Sequence, residues 1–462
     1  MNKNSNISIS NLIEAAVYYG FFLLLVALSI YSSFFVKALP DPNNLNNATI
    51  QQVIFGFAFN RLQRIPAQIL IVSGLAILIG MAALWNNRRD QELYRRFASL
   101  NNRFFSKKIY IIALCLVFFT ACCLLQSNMV SADMVIYKSW IPRQFMRGIM
   151  HVRFDEMWES NLHFNAYILL HTFLGTDVLA SYRLLSCLAA PFFLYILLIF
   201  SRRLVPDKAL SLSMFIMSGG FVQLFFGDME YYTITITLVM AYFYLAYAFL
   251  QEETSFVTPA MMLALAMTFH METFYLLPTL FFLSIVAIQR RDGFEVICGW
   301  FGLFILVSLT LMFFVNNGNP LNNMVDTSWG LGRNGNVLAN FLTNTPLLFI
   351  ARLNMVTLVF PAIWLLVPLL GFSRIKLDPF NGFLLTGACC GIPFSLVWVS
   401  SIGLYSDWNL FSMPLFPAIL LVGYNLIGHT HFSRKTALLY GLTAFSSLIS
   451  YGWIVSNHFI GR

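Results

Sequence analysis

Charged residues are scarce in this chain of 462 residues. Asp, Glu, Lys and Arg make up 10% of it, whereas apolar residues make up 58%. Soluble domains carry about 25% charged residues, so a water-soluble domain is excluded as the main part of the chain. Apolar runs recur along the whole length, and each has the roughly 20 residues that a helix needs to cross a bilayer. Because the runs are continuous and do not alternate, they predict helices rather than barrel strands.

Cysteine is also sparse. All seven cysteines lie inside apolar runs, and their spacing matches neither a metal-ligand set nor a secreted disulfide framework. We therefore expect them to pack between helices or to face lipid.

One basic segment sets the predicted orientation. Residues 86–108 contain seven Lys or Arg against two acids, and basic loops remain on the cytoplasmic side. Two apolar runs, 12–36 and 66–85, come before this segment. Residues 1–108 are therefore predicted to form an N-terminal two-helix membrane extension with a basic cytoplasmic loop, followed by a transmembrane domain over 109–462.

The apolar runs predict an all-α polytopic membrane protein with about 13 transmembrane helices, since each run has the length of a span. The run at 257–288 is too long for one helix and is expected to split at 270–272. The remaining predicted spans lie at 109–126, 178–200, 209–226, 233–250, 296–315, 352–372, 381–400, 413–428 and 437–456.

The first large outer loop, residues 127–177, follows the span that leads away from the basic segment. Asp133 lies near the membrane surface, and a carboxylate there can act as a general base. Residues 163–175 are apolar but too short to span, so they predict a helix lying on the surface. The loop also carries charged candidates for substrate binding, namely Lys138, Arg143, Arg147, Asp155 and Glu156.

Three further outer segments combine acids with aromatic or basic residues, which suits a sugar face or a phosphate group. Each also has an ordinary interpretation as a solvated turn, an aromatic belt or a snorkelling arginine. The candidates are Asp228, Glu230 and Tyr231 in the turn 226–232, His270 and Glu272 in the split run, Arg333 in the loop 316–348, and Asp407 with Trp408 in residues 405–411.

Histidines and acids between residues 151 and 163 are a candidate site for a divalent cation. Their spacing matches no specific ligand pattern, so no metal ligand is assigned. The group consists of His151, Asp155, Glu156, Glu159 and His163.

With these residues in view, the chain resembles the GT-C superfamily of membrane glycosyltransferases that use polyprenyl-phosphate sugars, including mannosyl- and arabinosyltransferases. The resemblance covers about residues 109–430 and rests on Asp133, the surface helix, the acidic turn FGDMEYY and the turn SDWNLF. It departs from the commonest pattern because Met134, not a second acid, follows Asp133. The partner carboxylate therefore stays open among Asp155, Glu156 and Asp228.

The resemblance implies inverting transfer of a sugar to a lipid, glycan or protein acceptor, with Asp133 as base and Asp228 and Glu230 as further catalytic residues. Metal independence or weak assistance by a divalent cation is implied, and Lys or Arg would hold the charge of the leaving lipid phosphate. Such an enzyme is expected in a bacterial inner or plasma membrane, with its active site on the periplasmic or extracellular face. No nucleic acid partner is expected.

Three alternatives remain open at this point. A transporter or flippase of lipid-linked sugars would show internal repeats, discontinuous helices and ionisable residues at mid-membrane. An O-antigen ligase or polymerase would carry a late outer loop rich in Arg and His, whereas the loop 316–348 has only Arg333. A non-enzymatic assembly subunit has no residue pattern that excludes it.

Overall fold

The computed structural model describes residues 87–128, 132–147, 156–316, 346–372, 375, 378–397, 408–428 and 435–459, with a few isolated residues before 87. Regular structure in these ranges is helical. The α-helices are α1 (Asn87–Phe105), α2 (Lys108–Leu124), α3 (Ala132–Arg147), α4 (Met157–Leu174), α5 (Val178–Leu204), α6 (Ala209–Met217), α7 (Thr233–Leu250), α8 (Val257–Phe269), α9 (Leu277–Gln289), α10 (Gly293–Asn316), α11 (Pro346–Val359), α12 (Leu366–Phe372), α13 (Pro379–Val397), α14 (Phe416–Gly423) and α15 (Lys435–Phe459).

Six helical segments in this part of the chain are long and apolar enough to cross a membrane. They are Val178–Leu204, Thr233–Leu250, Met271–Gln289, Gly293–Val315, Pro379–Leu396 and Leu438–Phe459. The predicted class, an all-α polytopic membrane protein, is confirmed. The predicted spans 12–36 and 66–85 fall almost wholly outside the described residues, so the count of about 13 stays a prediction.

Two predicted segments have internal structure that the sequence did not predict. The basic segment 86–108 contains helix α1, which meets α2 at a bend of 95°, and its cytoplasmic location stays a prediction. The predicted span 209–226 ends as an α-helix at Met217 and continues as a 3-10 helix, Gly220–Phe225. At Gly220 a Cβ atom would lie 2.1 Å from the carbonyl oxygen of Leu358. Glycine at this position lets α11 approach the backbone of residue 220 closely.

One other break agrees with the sequence. The long apolar run divides at His270, between α8 and a 3-10 helix, Met271–Leu276, that leads into α9. A helix is also present where the sequence predicts a surface helix, but it begins at Met157, six residues earlier than residue 163, and its location on the membrane surface stays a prediction. Its first turn therefore includes Glu159.

Segments predicted to lie outside meet at one end of the fold, called here the outer end. Ser127 N donates to Phe226 O at 2.7 Å, and Asn128 N donates to Asn457 O at 3.0 Å. The Tyr275 hydroxyl donates to a carbonyl of the late outer segment, Met413 O, at 2.6 Å. The segment that follows α2 and the turn that precedes α9 thus share one end with the C-terminal part of α15.

Segments predicted to lie inside meet at the opposite, inner end. Here Arg202 donates to Phe105 O at 3.2 Å, and Lys208 Nζ donates to Ile427 O at 2.9 Å. Arg290 donates to Leu250 O at 2.8 Å and so satisfies a carbonyl at the end of α7. The alternation of helix directions predicted from the apolar runs is therefore present in the described residues. Which end faces the cytoplasm stays a prediction from the basic residues.

Candidate active site

Helix α3 has one face against the protein and one face exposed. Met134, Tyr137, Ile141 and Gln144 follow each other at spacings of three or four residues, and all four are buried. The basic candidates Lys138, Arg143 and Arg147 are exposed. Asp133 is the second residue of α3, and its side chain lies outside the described part of the structure.

Four aromatic side chains from four segments pack together at the outer end, and we call them the outer aromatic cluster. They are Tyr137 of α3, His163 of α4, Tyr182 of α5 and Tyr231 of the turn 226–232. The hydroxyls of Tyr182 and Tyr231 are 3.0 Å apart and hydrogen-bonded. Ring centroids are 4.8 Å apart for Tyr137 and Tyr231. The cluster holds the first outer loop against the acidic turn.

A buried carboxylate lies beside this cluster. Glu156, a predicted substrate-binding residue, accepts a hydrogen bond from the Tyr137 hydroxyl at 3.3 Å. Burial raises the pKa of the Tyr231 phenol well above its ordinary value, and the neighbouring Tyr182, Tyr137 and Glu156 act in the same direction. Tyr231 is therefore a neutral phenol at physiological pH.

Glu159 connects α4 to α7. Its carboxylate accepts hydrogen bonds from Ile234 N at 2.9 Å and Thr235 N at 3.1 Å, and it also accepts from the Thr235 hydroxyl. These amides belong to the first turn of α7, where backbone N–H groups have no partner within the helix. Burial raises the pKa of Glu159 to about 7, while the three hydrogen bonds act in the opposite direction. Glu159 is thus a cap supplied by a different helix.

His163 lies one turn after Glu159 and is fully buried between Tyr182 and Tyr231. Within the described residues, neither ring nitrogen has a hydrogen-bond partner. Burial lowers the pKa of His163 to about 3, so the imidazole is neutral. In this arrangement the side chain packs as an aromatic ring.

The acidic turn 226–232 carries two of the predicted catalytic residues. Asp228 and Glu230 are each only 3% exposed. The turn is tight because Gly227 has φ of +70°, a conformation that favours glycine. Ser186 of α5 donates to the carbonyl oxygen of Asp228 at 2.9 Å. Both acids are therefore held at the outer end and away from bulk water.

Two arginines at the outer end were missed by the sequence predictions. Arg183 of α5 donates to Ser127 O, and its charge attracts that of Asp228. Arg352 of α11 is buried and donates to Leu396 O. A signal for Arg183 was present in the sequence, because an arginine inside an apolar span is by default a functional candidate.

The predicted candidates His270 and Glu272 lie next to the acidic turn. The rings of His270 and Tyr232 have centroids 4.6 Å apart. His270 Nδ1 accepts a hydrogen bond from Glu272 N at 3.2 Å and so caps the 3-10 helix that follows. His270 therefore has a structural contact at this position, and its role toward a substrate stays a prediction.

Trp408 is packed inside the protein. It is 1% exposed, and its ring centroid lies 4.7 Å from that of Trp453 in α15. In this conformation its ring faces Trp453 and not an open surface, so its stacking on a sugar stays a prediction. Asp155, Arg333 and Asp407 lie outside the described residues.

No group of three or more His, Cys, Asp or Glu side chains in the described ranges is arranged to hold a metal ion. Glu159 caps α7 and His163 packs on tyrosines, so neither points to a shared ligand position with the other. His151 and Asp155 of the candidate group lie outside those ranges.

A small recess at the outer end is bounded by α3, α4 and the acidic turn. Its lining combines aromatic rings with hydroxyl and amide groups, the composition expected of a pocket that orients a polar ligand on an apolar wall. The lining residues are Tyr137, Trp140, Ile141, Gln144, Ser160, Phe164 and Tyr231.

Helical architecture and span composition place this chain among multi-pass membrane proteins. Its structure is similar to the crystal structure of ArnT from Cupriavidus metallidurans bound to undecaprenyl phosphate, with 12% sequence identity, 76% of each chain covered and a TM-score of 0.49. A TM-score below 0.5 leaves the helix-by-helix correspondence undefined, so no residue role is transferred from ArnT. No family model and no curated protein sequence matches the chain.

Proposed function

We propose that this protein is a membrane glycosyltransferase that moves a sugar from a polyprenyl-phosphate donor to a hydroxyl-bearing lipid, glycan or protein. The observation that carries the proposal is the outer aromatic cluster, which joins α3, α4 and the acidic turn into one buried unit. Acids that are far apart in the sequence, Asp133 and Asp228, thereby belong to one end of the fold. The buried carboxylates Glu156, Asp228 and Glu230 at the same end of the fold as the recess support a site for acid–base chemistry.

The reaction exchanges one bond at the anomeric carbon for another and moves one proton. The acceptor oxygen attacks the anomeric carbon, and its proton passes to Asp133 as general base. The bond between the anomeric carbon and the phosphate oxygen breaks, and the electron pair leaves with the lipid phosphate. Attack opposite the leaving group inverts the anomeric configuration. Asp228 and Glu230 are the further carboxylates assigned to this step.

The leaving phosphate needs positive charge nearby, because developing negative charge is stabilised by preorganised cations. Arg183 supports the proposal best, since it is half-buried and lies beside Asp228. Lys138, Arg143 and Arg147 are exposed on α3 and would meet the charged end of a lipid donor at the membrane surface. Trp140, which is half-buried in the recess, supplies a flat face for a sugar ring.

Mass spectrometry of surface glycolipids and glycans tests this proposal in four strains: wild type, deletion, Asp133→Asn and Asp177→Asn. Asp177 is an exposed outer acid whose side chain accepts from Ala180 N as the N-cap of α5. Asparagine is an equally good N-cap, so Asp177→Asn is a matched control. We expect the deletion and Asp133→Asn to lose the same sugar, and Asp177→Asn to keep it.

Membrane-fraction levels of each variant show whether it folds. If Asp133→Asn accumulates normally and retains the sugar, Asp133 is not the base and the assignment fails. If the deletion itself changes no glycan, the proposed function fails as well.

A flippase of lipid-linked sugars is the second candidate, and the broken helices support it. The chain leaves α-helical geometry near residues 218–220, 270 and 360, and discontinuous helices are common in transporters. The buried acids Glu159, Asp228, Glu230 and Glu272 lie at the outer end rather than at mid-membrane, which favours the enzyme. A deletion that traps the lipid-linked sugar on the inner leaflet would favour the flippase.

A further inference from the structure

Helix α1 has the geometry of a helix that lies along a membrane surface. It meets α2 at 95°, so α1 lies in the membrane plane when α2 runs along the membrane normal. Several side chains of α2 are apolar and exposed, as expected for a helix in contact with lipid. These are Ile109, Ile112, Leu116, Val117 and Leu124.

One face of α1 is fixed to the protein at the inner end. Asn101 is buried, donates to Pro206 O at 2.8 Å and accepts from Leu210 N at 2.9 Å at the start of α6. Phe97 stacks on Tyr440 of α15 with ring centroids 4.1 Å apart. These contacts hold α1 in a defined rotation about its axis.

The opposite face of α1 and the link to α2 are basic. Arg95, Arg96, Arg103, Lys107 and Lys108 are all exposed. Among the described residues, one of these charges is paired with an acid, because Glu92 accepts from Arg96 at 2.5 Å. Leu100, between the arginines in sequence, is 50% exposed. Exposed arginines together with an exposed leucine are typical of a helix at the boundary of lipid and water.

We propose that α1 binds anionic phospholipid head groups of the cytoplasmic leaflet through Arg95, Arg96 and Arg103. Charge complementarity favours an anionic lipid as the ligand of α1, because residues 86–108 have seven basic residues and two acids. A zwitterionic head group offers no net charge to this face. The inference is independent of the proposed enzymatic function, since it concerns the opposite end of the fold.

Binding of short-chain phosphatidylglycerol and phosphatidylcholine to the purified full-length protein tests the proposal by thermophoresis. A basic residue near an anionic surface contributes about 1 kcal/mol, or roughly a fivefold change in affinity. We expect the triple variant R95Q/R96Q/R103Q to bind phosphatidylglycerol about thirty- to a hundredfold more weakly, the lower value applying because Arg96 is paired. Phosphatidylcholine binding is expected to be weak and unchanged.

Two controls separate head-group binding from general charge and from misfolding. The variant R95K/R96K/R103K conserves charge and is expected to bind like the wild type. Arg291→Gln removes an exposed arginine from the turn between α9 and α10 and is expected to have little effect. If the triple Gln variant does not fold, Arg95→Gln and Arg103→Gln are each expected to weaken binding about fivefold. Equal binding of both lipids by the wild type, or an equal loss in Arg291→Gln, would overturn the proposal.

Discussion

Glu159 experiences two opposing effects at the first turn of α7. Its carboxylate satisfies two backbone amides and a hydroxyl, which favours the charged form. Complete burial removes the carboxylate from water, which disfavours that form. The pKa is raised to about 7, so desolvation is the larger effect. The charge on Glu159 therefore costs stability even though its hydrogen bonds organise the site.

This balance predicts a pH dependence of stability. The folded protein binds the Glu159 proton more tightly than the unfolded chain, whose pKa is near 4.5. The stabilisation of the folded state by protonated Glu159 is therefore complete below about pH 4.5 and is lost above about pH 7. The free energy of unfolding falls by about 3 kcal/mol in total across this range. The glutamine of Glu159→Gln cannot ionise. The thermal midpoint of this variant should therefore rise relative to that of the wild type as the pH increases from about 4.5 to about 7.

The comparison of the two proteins cancels every other titrating group, including the buried His163. Parallel profiles for Glu159→Gln and the wild type would show that Glu159 keeps an ordinary pKa in the folded protein.

Among the elements of the fold, the turns at the outer end, rather than the membrane spans, carry the candidate catalytic acids Asp228 and Glu230. The turn 226–232 is closed by Gly227, whose φ of +70° is accompanied by crowding. A Cβ atom there would lie 3.1 Å from Gln126 Cγ and 3.2 Å from Arg183 Cγ. A larger side chain would therefore displace Arg183, the cation that lies beside Asp228.

Gly227→Ala is expected to lower stability by more than the roughly 1–2 kcal/mol that left-handed backbone costs a residue with a side chain. Gly175→Ala is the matched control, because Gly175 has φ of +66° and no other described atom lies within 4 Å of the position that a Cβ would take. Thermal midpoints of the two variants separate crowding from backbone strain. Transfer activity should fall in Gly227→Ala alone. Equal effects of the two substitutions would show that Arg183 is not displaced.

The sequence predicted elements better than contacts. Apolar runs located α5, α7 and the break at His270 because span length and polarity are local properties. The start of α4 was placed six residues late, because its first turn carries the polar Glu159, whose hydrogen-bond partners lie 75 and 76 residues away. Gly220, just after the break that follows Met217, lies against the backbone of Leu358 from another helix. Neither contact produces a pattern among neighbouring residues from which it could be predicted.

At the scale of the whole molecule, the outer end joins segments that are distant in sequence. The outer aromatic cluster draws on residues from 137 to 231, and Tyr232 packs on His270. Tyr275 then reaches the late segment at Met413. The outer segments in the described part of the chain are therefore connected to one another, which is why acids that look scattered in the sequence can belong to one site. The sequence predicted that these segments lie on the same side of the membrane, but it did not predict that they contact one another.

Tyr275→Phe tests whether that connection stabilises the late segment. The substitution removes only the hydroxyl, and the buried Met413 carbonyl keeps its bond from Phe416 N, so the loss is that of one hydrogen bond, about 0.5–1.5 kcal/mol. We expect a lower thermal midpoint and faster hydrogen exchange in residues 408–413. Tyr195→Phe makes the same change at an exposed position of α5 and should have little effect on either quantity. Indistinguishable midpoints and exchange rates in the two variants would mean that the late segment is held independently of Tyr275.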